Sequence, residues 1–150
     1  MVYDRTIEDV NEAKRIAEEV IKAFQTPTQT QLDILERGML TVTAINRIES
    51  KQEEIRQRLN EAGYYDNLGS NQTDWVAYDS FMQEDLQRLA DNCKSLRNSF
   101  FVYADTPEPP KPIYHFEEIN KMEKILVDLE SAIQDMVSRY RECGTFNSGE

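Results

Sequence analysis

The chain has one histidine and two cysteines among its 150 residues. That excludes zinc fingers built from Cys and His pairs, and di-metal helical sites that need two Glu-x-x-His pairs. Its five glycines, Gly38, Gly63, Gly69, Gly144 and Gly149, are scattered, so no Gly-rich phosphate loop is present. No Asp-rich calcium loop is present either. Positive charge is scarce: Lys and Arg number 17 against 28 Asp and Glu, a net charge of −11. Such a balance argues against a surface that tracks nucleic-acid phosphates and against adhesion to anionic lipid, so neither partner is expected. No apolar run approaches the roughly 20 residues that span a bilayer. The opening Met1-Val2-Tyr3-Asp4-Arg5-Thr6 lacks the basic and apolar regions of a secretory signal, so the expectation is a chain made and kept in a cytosol, unless it leaves by cell lysis or as part of a larger particle.

What the sequence does have is helical period. Ile7, Val10, Ala13, Ala17, Val20 and Phe24 recur in steps of three and four, with Thr6 and Asp9 as a capping pair and Pro27 as a stop. A second stripe runs Leu32, Leu35, Met39, Val42. A third runs Ile45, Ile48, Gln52, Ile55, Leu59, Ala62. Between them the phase slips, and Gly38 with the β-branched run Thr41-Val42-Thr43 marks the easiest place to break. Gly63 is a natural C-cap. Met82, Leu86, Leu89, Cys93, Leu96 and Phe100 make a fourth stripe, with Ser80 as N-cap and Gln83 as its return partner. The last stripe, Ile119 to Cys143, alternates three and four without a fault, and Ile125, Ala132 and Val137 widen it to a bundle face. Gly144 is expected to end it.

The fold class that follows is all-α: an antiparallel bundle of four to five helices of unequal length in a single domain over 1–150. The helices fall at about 6–24, 28–37, 40–62, 80–100 and 116–143. A long loop fills 63–79, and four prolines make 104–112 a stiff connector. Cys93 and Cys143 lie on apolar faces, so buried free thiols are the expectation in a reducing compartment; a disulfide requires the two faces to meet. The segments Ile45-Asn46-Arg47-Ile48-Glu49, Leu86-Gln87-Arg88-Leu89-Ala90 and Ile119-Asn120-Lys121-Met122-Glu123 share an order of apolar, amide, cation, apolar. Amphipathic helices in general look like this, and a repeated module is the other explanation.

No catalytic, cofactor-binding or metal-ligating constellation stands out, and the expectation is a protein that is not an enzyme and takes no cofactor. His115 reads as a capping or packing residue, and adjacent carboxylates such as Glu117-Glu118 face different directions on a helix. Aromatics gather at two places. Tyr64, Tyr65, Trp75 and Tyr78 lie in or beside the long loop, and Phe100, Phe101, Tyr103, Tyr114 and Phe116 bracket the prolines. Most such residues hold loops onto helix ends. Read functionally, Tyr64, Tyr65, Trp75 and Tyr78 are candidate contacts for a host protein or glycan. Pro107-Glu108-Pro109-Pro110 fits a minimal Pro-x-x-Pro ligand as well as a linker.

Several blocks in fixed order resemble a family of small proteins from bacteriophages and prophages of Firmicutes. They are Tyr3-Asp4-Arg5-Thr6, Leu35-Glu36-Arg37-Gly38, Ile45-Asn46-Arg47-Ile48-Glu49 with Gly63-Tyr64, Asp91-Asn92 with Leu96-Arg97, Phe101-Val102-Tyr103, Tyr114-His115-Phe116, and the tail from Tyr140 to Phe146. The resemblance covers nearly the whole chain. It implies a virion structural or accessory protein, tail-associated, without enzymatic activity. Its partners would be phage structural proteins and other copies of itself, and it would reside in the virion. Beside that resemblance, Arg47 pairs physically with Glu49 or Glu54 on the helix surface. Asn46, Arg47, Glu49 and Gln52 are candidates for fixing helix register or an interface, as polar groups near a seam do.

Overall fold

A computed structural model describes residues 1–64 and 68–147, with side chains through Tyr140. The described chain is all-helical: α1 (Ile7–Ala23), α2 (Gln29–Gly38), α3 (Val42–Glu61), α4 (Gln83–Ser99) and α5 (Phe116–Asn147). The break before α3 falls at Met39–Thr41, between Gly38 and the β-branched run and just ahead of the phase slip at Val42 to Ile45. Thr41 then caps the new helix by accepting from Ala44 N. Thr6 and Asp9 close a reciprocal box at the start of α1, and Thr28 and Gln31 do the same for α2. Gly63, at φ 91°, turns the chain out of α3: its N–H donates to Asn60 O, and that of Tyr64 to Leu59 O. Both orphan carbonyls are satisfied by the left-handed residue, the pattern of a Schellman cap.

Two boundaries differ from expectation. Helix α4 starts at Gln83 with Met82 as its N-cap residue, not Ser80, because the Asp85 carboxylate reaches back to Met82 N (2.9 Å). An acid at the third helical position supplies the return bond that Gln83 was expected to make. Helix α5 runs through Gly144 to Asn147. A glycine costs a helix about 1 kcal/mol, and no proline follows to enforce a stop.

Helices α1 and α2 form an antiparallel hairpin, with Gly38 at the end of α2 set against Asp9 and Ala13 of α1; a Cβ on Gly38 would lie 2.1 Å from Asp9 O. The antiparallel expectation does not extend to the core. Along α3, Arg47 meets Glu123, Lys51 meets Glu130 and Arg58 meets Gln134, so α3 and α5 run in the same direction. Helix α4 shares it: Glu49 meets Arg88, and Tyr64 just past α3 packs its ring on Phe100 just past α4. The physical reason lies in the connections. Short links make neighbours antiparallel, whereas segments 62–82 and 100–115 are long enough to return along a helix of about 30 Å.

Three parallel stripes meet in the core. Ile48, Gln52, Ile55 and Leu59 of α3 face Leu86, Leu89, Cys93 and Leu96 of α4, and Ile119, Met122, Leu126, Leu129 and Ile133 of α5; all are at most 4% exposed. Within this core, Gln52 Nε2 lies 3.2 Å from Cys93 Sγ. No described helix is long and apolar enough to cross a membrane.

Candidate functional site

The four polar residues singled out on α3 each fasten another element. Asn46 accepts from Trp75 N and donates to Trp75 O, both at 2.9 Å, gripping the returning loop by its backbone. Gln52 donates to Leu89 O (3.0 Å) and to Cys93 Sγ, while its own Oε1 is buried and unpartnered. Glu49 is fully buried. One oxygen accepts from the Arg88 guanidinium of α4 and from Gln72 N (3.1 Å); the other accepts from the Trp75 indole N–H.

Arg47 departs from expectation. It pairs neither with Glu49 nor with Glu54 on its own helix. Its Nη1 donates to Glu36 (2.5 Å), and its Nε and Nη2 donate to Glu123 of α5 (3.1 and 2.5 Å). Glu49 faces α4 and the loop and is already satisfied there, and the long Arg47 side chain reaches the buried Glu123 across the α3–α5 seam. Burial pulls the Arg47 pKa down, but hydrogen bonds and charge from Glu123 and Glu36 outweigh it and hold the guanidinium above its ordinary value. Arg88 is held up the same way by Glu49 and Asp85 against its own burial.

Glu123 is the second fully buried carboxylate, and its surroundings repeat those of Glu49. Asn120, three residues before it, accepts from Arg5 N (3.2 Å) and donates to Arg5 O (3.0 Å). The Arg5 Nη1 then donates to Glu123 Oε2 (2.8 Å), where Val2 N also donates (2.8 Å). An amide one helical turn before the acid thus clamps an extended residue, whose side-chain N–H the acid accepts; an arginine from a neighbouring core helix takes the acid's other oxygen. These are two of the three echoed segments. In the third, Gln87 bonds Asp91 on its own helix and Ala90 stands where the acid would be, while Lys121 of the α5 segment pairs with Glu118. Asn92 of α4 clamps Gly69 in the same bidentate fashion. Asn120 and Glu123 were marked by that echo, and Arg5 and Asn92 only by the blocks that resemble the phage family.

The loop aromatics separate. Trp75 is 7% exposed, its indole turned onto Glu49 and its ring edge-on to Phe81 (5.4 Å). Tyr78 is 88% exposed. Tyr64 is partly exposed and belongs to the far end of the bundle, and Tyr65 lies outside the described residues. At that far end, Tyr64, Phe100, Phe101, Tyr103, Met136 and Tyr140 line a groove of about 500 Å³. Phe101 and Tyr140 are largely exposed there, and the Tyr103 hydroxyl donates to Asp135 (2.5 Å).

The nucleophile-type groups are closed off. Cys93 is a free thiol with no exposure, pushed up to about 12 by burial, so it stays protonated at neutral pH and is no nucleophile. The side chain of Cys143 lies outside the described residues, and with it any pairing to Cys93. His115 stacks on Phe116 (4.7 Å) with Nδ1 3.7 Å from Glu117, at the start of α5 and away from Cys93 in the interior. No protein-family model, curated protein or solved structure matches this chain.

Proposed function

We propose that this chain is a non-enzymatic structural component of a bacteriophage particle, tail-associated, that works by docking onto other particle proteins. The observation that carries the docking reading is the end of α5. Its partners stop at Glu61 and Ser99; Arg58 meets Gln134, which sets Glu61 level with about residue 137, yet α5 continues to Asn147. Residues 138–147 add about 15 Å of helix at 1.5 Å per residue. The exposed aromatics Tyr140 and Phe101 stand where this helix leaves the bundle. A helix that outruns its partners beside an aromatic groove offers a partner helix both a stripe and anchors. The ordered blocks that resemble the phage family support the placement in a particle.

The alternative, a binding module that uses the long loop for a host protein or glycan, draws support from Tyr78 among the described loop residues, because the Trp75 ring is occupied inside. The test uses particles from an induced host that encodes the chain, freed of soluble protein on a density gradient. Mass spectrometry should find the chain at a fixed ratio to the tail proteins. Phe101→Ser with Tyr140→Asp should keep the helical circular dichroism and lose incorporation. A chain abundant in the lysate and absent from the particles overturns the reading.

A further inference from the structure

At the opposite end of the bundle a cleft of about 380 Å³ opens between α1, the α2–α3 break and the start of α5. Its wall is apolar over Val10, Leu40 and Phe116, and its polar members are Arg5, Lys14 and His115. No carboxylate lines it, in a chain where acids outnumber bases 28 to 17. Lys14 forms no ion pair among the described residues. Arg5 is 4% exposed and only half used. Its Nη1 serves Val2 O, Asn120 and Glu123, while Nε and Nη2 are buried with no partner. Those two atoms form one edge of the guanidinium, the parallel fork that fits a carboxylate.

We infer that this cleft binds a carboxylate carried on an apolar body, with the free edge of Arg5 as its anchor, Lys14 as a second cation and the apolar wall holding the rest. The unmet Arg5 edge is the second observation, independent of the cavity, and it asks for an acceptor. It is shut off from bulk solvent, and Arg5 is itself one of the residues that line the cleft. The volume falls within the range of small-ligand sites and suits a medium-chain carboxylic acid or the last residue of a peptide with its free C-terminus.

The test is calorimetric titration of the intact protein with four probes: octanoate, its methyl ester, acetyl-Ala-Leu with a free C-terminus, and the same peptide amidated. At least one free acid should bind about tenfold or more tightly than its neutral counterpart, as loss of a charge-assisted hydrogen bond requires. Octanoate alone identifies a small acid, and the free peptide alone identifies a polypeptide terminus. Lys14→Ala should weaken the acid several-fold. Leu40→Trp, which fills the cleft and leaves Arg5 in place, should abolish binding without changing the circular dichroism. Because Arg5 also latches Glu123, Arg5→Leu tests folding as much as binding and is not the deciding variant. Equal binding of acid and ester, binding that survives Leu40→Trp, or no heat from either acid overturns the inference.

Discussion

Glu49 and Glu123 are held by the same device and differ in one donor. At Glu49 the clamped residue is Trp75, whose neutral indole has a single N–H; that N–H is used, and nothing is left over. The only cation there is Arg88, whose side chain is 21% exposed and can turn to water. At Glu123 the clamped residue is Arg5, so one buried carboxylate faces two guanidinium groups, Arg5 and Arg47. The Arg5 side chain is 2% exposed and cannot retreat to solvent. One latch is closed and nearly neutral. The other is crowded with positive charge, balanced further out by Glu36, and has an open edge beside a cleft. The same backbone geometry thus serves a structural lock when the donor is neutral, and leaves unused binding capacity when it is charged.

Removing the acids should separate the two most sharply. Glu123→Gln leaves a buried cation without its counter-charge and should cost about 3–5 kcal/mol. Glu49→Gln frees Arg88 to solvent and should cost about 1–3 kcal/mol. Urea unfolding followed by Trp75 fluorescence measures both, and equal losses would erase the distinction.

The clamps should differ less. Asn46→Ala removes two backbone hydrogen bonds deep in the loop and should cost about 1–3 kcal/mol. Asn120→Ala should cost less, because the leading segment 1–5 opens locally while the core stays closed. Amide exchange should accelerate at Arg5 in the second variant far more than at Trp75 in the first.

The smallest effect comes from Cys93, one layer below both acids. Burial raises its thiol to about 12; the Gln52 bond opposes this and the Glu123 charge adds to it. A raised folded value means that stability is whole below the unfolded thiol value of about 8.5 and declines as pH climbs toward 12. Between pH 8 and 9.5 the decline should be about 1.2 kcal/mol. It should be absent in Cys93→Ala, and the thiol should resist alkylation until the protein unfolds.

Local structure was legible because local chemistry decides it. Thr6 with Asp9, the phase slip after Val42 with Gly38 and the β-branched run beside it, and the glycine after Ala62 each act within a few residues. Helix direction was not, because apolar period is the same for parallel and antiparallel neighbours. Only the length of the 62–82 and 100–115 connections distinguished them. Asn46, Arg47, Glu49 and Gln52 do lie at crossings between elements, yet their partners, Trp75, Glu123, Arg88 and Cys93, sit 26 to 76 positions away. Nothing local names such partners. The echo of Asn-Arg-Ile-Glu in Asn-Lys-Met-Glu was the one sequence trace of the second latch, and helical degeneracy hid it.

The Arg5–Glu123 bond joins residues 118 positions apart. On the ribosome, Arg5, Arg47 and Glu36 emerge long before Glu123, and α3 has no parallel partner until the first long return has been made. A nascent chain that stops short of α5 carries two cations waiting for one acid and, on α3 and α4, an apolar face waiting for a third helix. Completion of the core therefore waits for α5, and a chain without it presents the surfaces that chaperones and proteases recognise.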